Sequence, residues 1–302
     1  MYDIVIIGAG PAGMSAALYA RRSNKKTLVL EAKNYGGQII NTLDIENYPA
    51  NEHISGFDFA TNLYNQIKKL GAEIVFEKVI DINDLGKEKE VITTKNTYKT
   101  KTIIIATGSE NRKLGLPNED EFVGKGISYC ATCDGAFFKN KVVAVVGGGN
   151  TALEDALYLS NLASKVYLIH RRDEFRADES TVNLLKEKDN VEFIFNSNVT
   201  KLNTKEKLES IEVTSNDGNK STIDLDALFI AVGRIPENQN FAKLINLDES
   251  GYILANDNCH TNIEGIFAAG DNRVKSLRQL VTANSDGAIA ASEAIKYVNS
   301  KN

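Results

Sequence analysis

The sequence predicts an α/β fold of two three-layer domains, the second inserted in the first. Three observations carry this. A strand, a glycine-rich turn and a helix open the chain, the turn being Gly8-Ala9-Gly10-Pro11-Ala12-Gly13. The same succession returns further on, with the turn Gly147-Gly148-Gly149-Asn150-Thr151-Ala152. Each copy also has a later apolar strand running into glycine, Ile103-Ile104-Ile105-Ala106-Thr107-Gly108 in the first and Leu228-Phe229-Ile230-Ala231-Val232-Gly233 in the second. An internal duplication of this kind implies two Rossmann-like dinucleotide-binding domains, expected at 1–112 with 238–302 and at 113–237.

The first turn directly follows Ile4-Val5-Ile6-Ile7 and directly precedes an Ala-rich helical stretch over 14–22. Its glycines permit a tight turn and close approach of backbone to a pyrophosphate, whose charge the helix N-terminus then holds. The second strand, Thr27-Leu28-Val29-Leu30, ends in Glu31. A carboxylate about 20 residues after the glycines is placed to hydrogen-bond a ribose hydroxyl pair. Gly36-Gly37-Gln38 and Glu46-Asn47-Tyr48-Pro49 are too turn-rich for a buried element. They read either as surface connection or as backbone brought close to a cofactor.

Apolar residues at Phe59, Leu63, Ile67 and Leu70 predict a helix over 57–70 that stops at Gly71. Short alternating strands follow, with Lys87-Glu88-Lys89-Glu90 expected at a solvated hairpin tip without function. The polar stretch containing Gly115 and Pro117 reads as the crossing into the second domain, and residues 234–240, with Pro236, as the return.

The two copies differ where the difference is chemical. In place of Glu31 the second has His170-Arg171-Arg172, then Arg176. A carboxylate repels a 2'-phosphate, whereas guanidinium groups bind it with charge-assisted hydrogen bonds, so the second site is expected to prefer NADP. A basic solvated loop is the plainer reading. Residues 191–224 alternate like short antiparallel strands. The tail holds another strand running into glycine, Gly265-Ile266-Phe267-Ala268-Ala269-Gly270-Asp271, and a final helix over 280–298. Too short for a core of its own, the tail is expected to complete the first domain.

The remaining chemistry lies in Cys130-Ala131-Thr132-Cys133-Asp134. Two cysteines at this spacing can close a disulfide and reopen it as a dithiol. The same spacing serves structural zinc, but two more ligands would have to come from Cys259 and the scattered His53, His170 and His260, so no metal is expected. Asp134 is a candidate acid–base group or, alternatively, a helix cap. Cys259 reads as a small buried thiol.

Composition sets the outer bounds. With 302 residues, 42% hydrophobic and 25% charged, the chain is an ordinary globular one, and its net charge of -5 offers no footprint for nucleic acid. No apolar run reaches the roughly 18 residues that span a bilayer, and no basic leader precedes Asp3. A cytoplasmic location is expected. In that reducing compartment a Cys-x-x-Cys pair points to a catalytic disulfide.

Together these residues closely resemble the low-molecular-weight, bacterial-type thioredoxin reductases, FAD- and NADPH-dependent members of the pyridine nucleotide-disulfide oxidoreductase family. The resemblance covers nearly the whole chain. Its most specific pieces are residues 130–135, the second glycine turn, the stretch from His170 to Ala177, and Gly270-Asp271 with Arg278-Gln279.

It implies FAD near Gly8, Gly10, Pro11, Ala12, Gly13, Glu31 and Ala32, with Gly36, Gly37, Gln38, Thr42, Asn47, Thr107, Gly108, Gly270, Asp271, Arg278, Gln279 and Leu280 completing the site. NADPH would lie against Gly148, Gly149, Asn150, Thr151, His170, Arg171, Arg172, Arg176 and Gly233.

The resemblance further implies a homodimer, a hinge at the two crossings, and electron flow from NADPH through FAD to the Cys130–Cys133 pair and on to oxidised thioredoxin. Cys133 would sit nearer the flavin. No missing motif puts NADPH use in doubt, as one would in the ferredoxin-dependent relatives. Two other readings stay open: a reductase of another disulfide carrier, glutaredoxin-like or a peroxiredoxin partner, and a low-turnover redox sensor. The peroxiredoxin-reductase relatives carry an extra N-terminal disulfide domain, and this chain begins directly at the first strand.

Overall fold

A computed structural model describes residues 1–42 and 44–301. The chain divides into two compact units, Met1–Glu110 with Ile235–Asn302, and Asn111–Arg234. The boundaries at 110/111 and 234/235 thus fall two and three residues before the domain bounds expected from the sequence.

The first unit begins with β1 (Tyr2–Ile7), α1 (Pro11–Arg22) and β2 (Thr27–Glu31), followed by α2 (Gly56–Lys69), whose Ser55 cap accepts the Asp58 N–H at 3.0 Å. Then come β3 (Glu73–Phe76), β4 (Val79–Asp84), β5 (Lys89–Thr93), β6 (Thr97–Ile105) and the crossing strand β7 (Ser109–Asn111). The second unit contains β8 (Ile127–Ser128), α3 (Ala131–Asp134), β9 (Val142–Val146), α4 (Asn150–Ser160), β10 (Lys165–Ile169) and α5 (Glu179–Lys186). It continues with β11 (Val191–Ile194), β12 (Ser197–Thr204), β13 (Leu208–Ser215), β14 (Lys220–Asp224) and β15 (Ala227–Ile230). The return strand β16 (Arg234–Pro236) pairs with β7, and β17 (Ile266–Ala268) and α6 (Leu280–Ser300) go back to the first unit.

In the first unit β3, β2, β1, β6 and β17 form a parallel sheet, which β5 and β4 extend antiparallel from β6. The period-two alternation of β1 sends Ile4 and Ile6 to one face and Val5 and Ile7 to the other. Ile4 and Ile6 pack with Met14, Ala17 and Ala290 of α1 and α6. Val5 and Ile7 pack with Val79, Ile82 and Val91 of the antiparallel strands and with Phe241 and Ile253. All four strand residues are at most 4% exposed, each contributing about 1.5–3 kcal/mol of apolar burial.

The second unit repeats the plan. Its parallel sheet runs β11, β10, β9, β15, β8, with α3, α4 and α5 on one face and the antiparallel β12–β13–β14 on the other. Here the structure corrects one expectation: β11 is no antiparallel strand but the parallel edge partner of β10, Val166 opposite Val191.

Lys87-Glu88-Lys89-Glu90 is corrected as well. Residues 85–87 at the tip are exposed and Glu88 is half-buried, but Lys89 is 1% exposed, with its Nζ 2.8 Å from Asp84 Oδ1 and donating to the Gly86 carbonyl at 2.6 Å. A charge run marks a solvated segment only where its side chains find no partner that folds back on them.

Candidate active site

The first glycine turn sits where β1 ends. Gly8 has φ +107°, and a Cβ there would drive into the Ala106 carbonyl at the end of β6. A Cβ on Gly13 would enter the Gly8 carbonyl, so the turn and the first turn of α1 touch backbone to backbone. Gly10 differs: no atom lies within 4 Å of the place its Cβ would take. It caps α1 without a side-chain hydrogen bond, with Pro11 at the first helical position, leaving the helix's first N–H groups to a ligand.

Glu31 ends β2 and accepts the Ala9 N–H and the Lys33 N–H, both at 2.8 Å, which aims its carboxylate at the turn; Ala32 is exposed beside it. The loop at 36–37 closes against the same place. Gly36 N–H donates to the Ala9 carbonyl at 2.8 Å, and a Cβ on Gly37 would stand 3.3 Å from Gly10 Cα. Gln38 follows in a 3-10 turn (Gly37–Asn41) that Thr42 ends.

From the tail, Gly270 (φ +88°) abuts Ala12, with Asp271 next. Asn47 Nδ2 donates to Gln279 Oε1 at 3.1 Å, and Gln279 and Thr282 form the capping box that starts α6 at Leu280. Thr107 donates to Asn238 Oδ1 at 3.2 Å, just before Gly108. Arg278 lies with its guanidinium 4.1 Å over the Tyr252 ring, and its buried Nε has no hydrogen-bond partner among the described residues. An open uncapped helix terminus, an anchored acid and an unmet buried donor are what the dinucleotide half of FAD requires, so these residues fit that group.

The second turn is built alike. Gly149 caps α4 with no side-chain bond. A Cβ on Gly148 would enter the His170 ring. His170 is 9% exposed, with its Nε2 3.1 Å from the Glu174 carbonyl oxygen. Burial pulls its pKa below the ordinary value, and Arg171 and Arg172 add to this. The imidazole is thus a neutral wall of the turn. Arg176 N–H donates to the Gly148 carbonyl at 2.7 Å, fastening the arginine loop to the glycines, and Asn150 Oδ1 accepts the Asp178 N–H at 2.8 Å. Thr151 is exposed at the start of α4, and Gly233 (φ +110°) is open. Among the described residues no carboxylate engages the side chains of Arg171, Arg172 or Arg176. Three cations kept available beside a bare helix terminus fit a 2'-phosphorylated nucleotide.

Cys130 and Cys133 form a disulfide, their Cα atoms 5.3 Å apart, at the start of α3. The Cys130 carbonyl accepts the Cys133 and Asp134 N–H groups at 3.3 and 3.1 Å, which closes the tight turn. Asp134 is half-buried and burial raises its carboxyl pKa, while a 2.6 Å hydrogen bond from Ser128 opposes that rise. Cys133 and Asp134 lie within the four-residue α3, which Cys130 caps; Asp134 stands at the N-cap of the 3-10 turn that follows (Gly135–Phe138), but its side chain makes no capping bond there. Cys259 stands apart, 0% exposed, its thiol 3.6 Å from the Asp286 carbonyl.

Sequence reasoning passed over several residues that hold these groups: Ser128, Glu119 beneath Tyr129, Asn238 and Asn272 around Thr107, and Asp286. Asp286 Oδ2 accepts the Gly270 N–H at 3.0 Å and pairs with Arg273 and Lys275. A lone acid in the Ala-rich 283–291 stretch was the only local signal of it.

Two dinucleotide turns and a closed cysteine pair on one chain define a nucleotide-dependent disulfide oxidoreductase. Residues 2–287 match the family model described as pyridine nucleotide-disulphide oxidoreductase, and the chain belongs to that family. It is 46% identical over 301 residues to a thioredoxin reductase of Listeria innocua, covering 99% of this chain and 94% of that one. It is 44% identical over 301 residues to a thioredoxin reductase of Bacillus subtilis, covering 99% and 95%. The crystal structure of thioredoxin reductase from Streptococcus pyogenes superposes with a TM-score of 0.95 at 42% identity, covering 99% of both chains.

Proposed function

We propose that this protein is an NADPH-dependent thioredoxin-disulfide reductase. The observation that carries the reading is the closed Cys130–Cys133 pair beside half-buried Asp134, in the same unit as a dinucleotide turn flanked by three arginines.

FAD, when bound at the first turn, supplies the two-electron chemistry that links NADPH to the disulfide. The other steps belong to the chain. Cys130 and Cys133 take up two electrons as their S–S bond opens, and hold them as a dithiol. One of their thiolates attacks the disulfide of oxidised thioredoxin, forming a mixed disulfide and displacing a thiolate to which Asp134 gives a proton. The second cysteine then attacks the mixed disulfide, releasing reduced thioredoxin and closing Cys130–Cys133 again. Arg171, Arg172 and Arg176 select the 2'-phosphate, and Glu31 holds the flavin-side ribose. No helix among the described residues is long and apolar enough to cross a membrane. On the resemblance to the bacterial thioredoxin reductases, we place the enzyme in the cytoplasm as a homodimer.

The test is an anaerobic titration of the purified protein with NADPH and, in parallel, NADH, followed by addition of oxidised thioredoxin. Uptake of a second electron pair beyond the flavin's own, with NADPH much the better donor, is expected, and Cys133→Ser should retain FAD while losing thioredoxin reduction. Reduction of the flavin alone would overturn the reading and favour the sensor.

A further inference from the structure

We propose that Ser128 is a positioning residue for dithiol exchange, holding the Asp134 carboxyl and the Cys130 backbone as one hydrogen-bonded unit fixed to the edge of the sheet. The proposal rests on the reading of Asp134 as proton donor. Ser128 ends β8, where it pairs with Phe229 of β15, and is 3% exposed. Its Oγ lies 2.6 Å from Asp134 Oδ2 and 3.3 Å from the Cys130 carbonyl oxygen, and accepts the Cys130 N–H at 3.1 Å.

A hydroxyl has a single proton, and the 2.6 Å contact is the one that receives it. The donor side of Ser128 therefore holds the acid while its acceptor side holds the first cysteine. The Cys130 carbonyl binds the Asp134 N–H in turn, so the arrangement closes on itself from Ser128 through Cys130 to Asp134 and back. The Cys130 backbone cannot shift against the acid without breaking one of these bonds.

Two influences set the protonation of Asp134, burial first and the Ser128 hydroxyl second, and they oppose each other. Helix α4 packs against α3 and carries Glu154 and Asp155, but among the described residues the side chain that hydrogen-bonds the Asp134 carboxyl is that of Ser128. The thiols of Cys130 and Cys133 titrate nearby once their bridge opens. In the exchange the proton passes from Asp134 to the thiolate displaced from the partner disulfide. The carboxylate left behind keeps its Ser128 hydrogen bond until water returns the proton. Burial favours the protonated acid, and the Ser128 hydroxyl favours the carboxylate left when the proton is given up.

The test is a 13C-carboxyl NMR titration of the aspartate-labelled, oxidised holoenzyme, set beside the pH profile of kcat/KM for oxidised thioredoxin. Asp134→Asn identifies the resonance and should remove the alkaline limb of the profile. In Ser128→Ala the resonance should titrate at higher pH, because a donor to the ionised form has gone, and the alkaline limb should move up with it. Ser128→Thr, which keeps the hydroxyl, should return both. A resonance unmoved in Ser128→Ala, or a rate lowered equally at every pH, overturns the proposal. If the resonance moves while Asp134→Asn keeps the wild-type profile, Ser128 holds the carboxyl as proposed and the reading of Asp134 as proton donor falls.

Discussion

The phenol of Tyr129, the residue before Cys130, donates to the carboxylate of Glu119 across 2.6 Å. Glu119 is 3% exposed and also accepts the backbone N–H groups of Leu114, Gly115 and Leu116, at 3.1, 2.8 and 3.2 Å. Four donors spread one buried negative charge that no salt bridge neutralises among the described residues. Burial first, and Glu119 second, push the Tyr129 phenol well above its ordinary value, so it stays a donor at any working pH. Tyr129→Phe removes one donor to a charged group and should cost about 1.5–3 kcal/mol. Glu119→Ala strands all four donors and should cost more. Urea unfolding of the holoenzyme checks the order; losses of about 0.5 kcal/mol or less, as at an ordinary surface site, would show that the strut does not anchor the cysteine turn.

Asp286 makes the first unit sensitive to acid. Burial alone would raise its carboxyl, but hydrogen bonds from Arg273 and Lys275 outweigh this and hold the pKa below its ordinary value. A group depressed in the folded state contributes stability above its unfolded pKa of about 3.9, and loses it as the pH falls through the lower folded value. Asp286→Asn leaves Arg273 and Lys275 facing a neutral amide and should cost about 3–5 kcal/mol at pH 7. Below about pH 4 the gap between variant and wild type should shrink as the wild-type carboxyl is protonated. A gap constant with pH in denaturant unfolding would contradict this account.

Gly10 and Gly13 separate binding from folding. Gly10 has φ -76°, and its Cβ position is empty. Gly10→Val should therefore leave the apoprotein close to wild-type stability. A dinucleotide crowded by the new side chain would lose about 1–3 kcal/mol, roughly tenfold or more in affinity. Gly13→Ala puts its Cβ into the Gly8 carbonyl and should destabilise the unit with or without FAD. Flavin retention after gel filtration, beside thermal melts of the apoproteins, tells the two apart.

The features readable in advance are local ones. The glycine turns, β1, β2, β9 and the cysteine pair announce themselves by spacing within a few residues, and an acid or an arginine after the second strand follows from the same unit. What stayed hidden depends on neighbours far along the chain. Lys89 looked solvated because its partner, Asp84, lies across a turn that the charge pattern does not reveal. Val191–Ile194 looked antiparallel like the strands after it, since only the packing of α5 returns it beside β10. Gly287 carries no local signal of its role either: a Cβ there would strike the Ala12 carbonyl, so the glycine lets α6 press against α1. Ser128 and Glu119 carry no motif; each acts through a backbone position that the fold supplies.

Cys259 should be chemically silent in the native protein. It is fully buried, and burial first, then the Asp286 charge, push its thiol up to about 12, so almost no thiolate exists near neutral pH. The reduced holoenzyme, mixed with a chromogenic disulfide at pH 8, should release the equivalent of the Cys130 and Cys133 thiols at once. The third thiol should appear only in denaturant. Three fast-reacting thiols in the native state would mean that the 259 turn opens readily.

In the proposed function Arg171 and Arg172 would set the choice between the two nicotinamide cofactors. Arg171 is exposed and Arg172 half-buried, and among the described residues neither side chain is spent on a carboxylate. A phosphate between them would gain charge-assisted hydrogen bonds of about 1.5–3 kcal/mol each, whereas the bare 2'-hydroxyl of NADH gains far less. Removing one arginine should weaken NADPH by roughly ten- to a hundredfold, and Arg171→Ala with Arg172→Ala together by more. NADH should change by less than about threefold, because the glycine turn and α4 that receive its pyrophosphate stay as they are. Stopped-flow flavin reduction at varied concentrations of each donor yields both affinities. Equal losses for the two donors would place these arginines away from the 2'-phosphate and return them to a solvated basic loop.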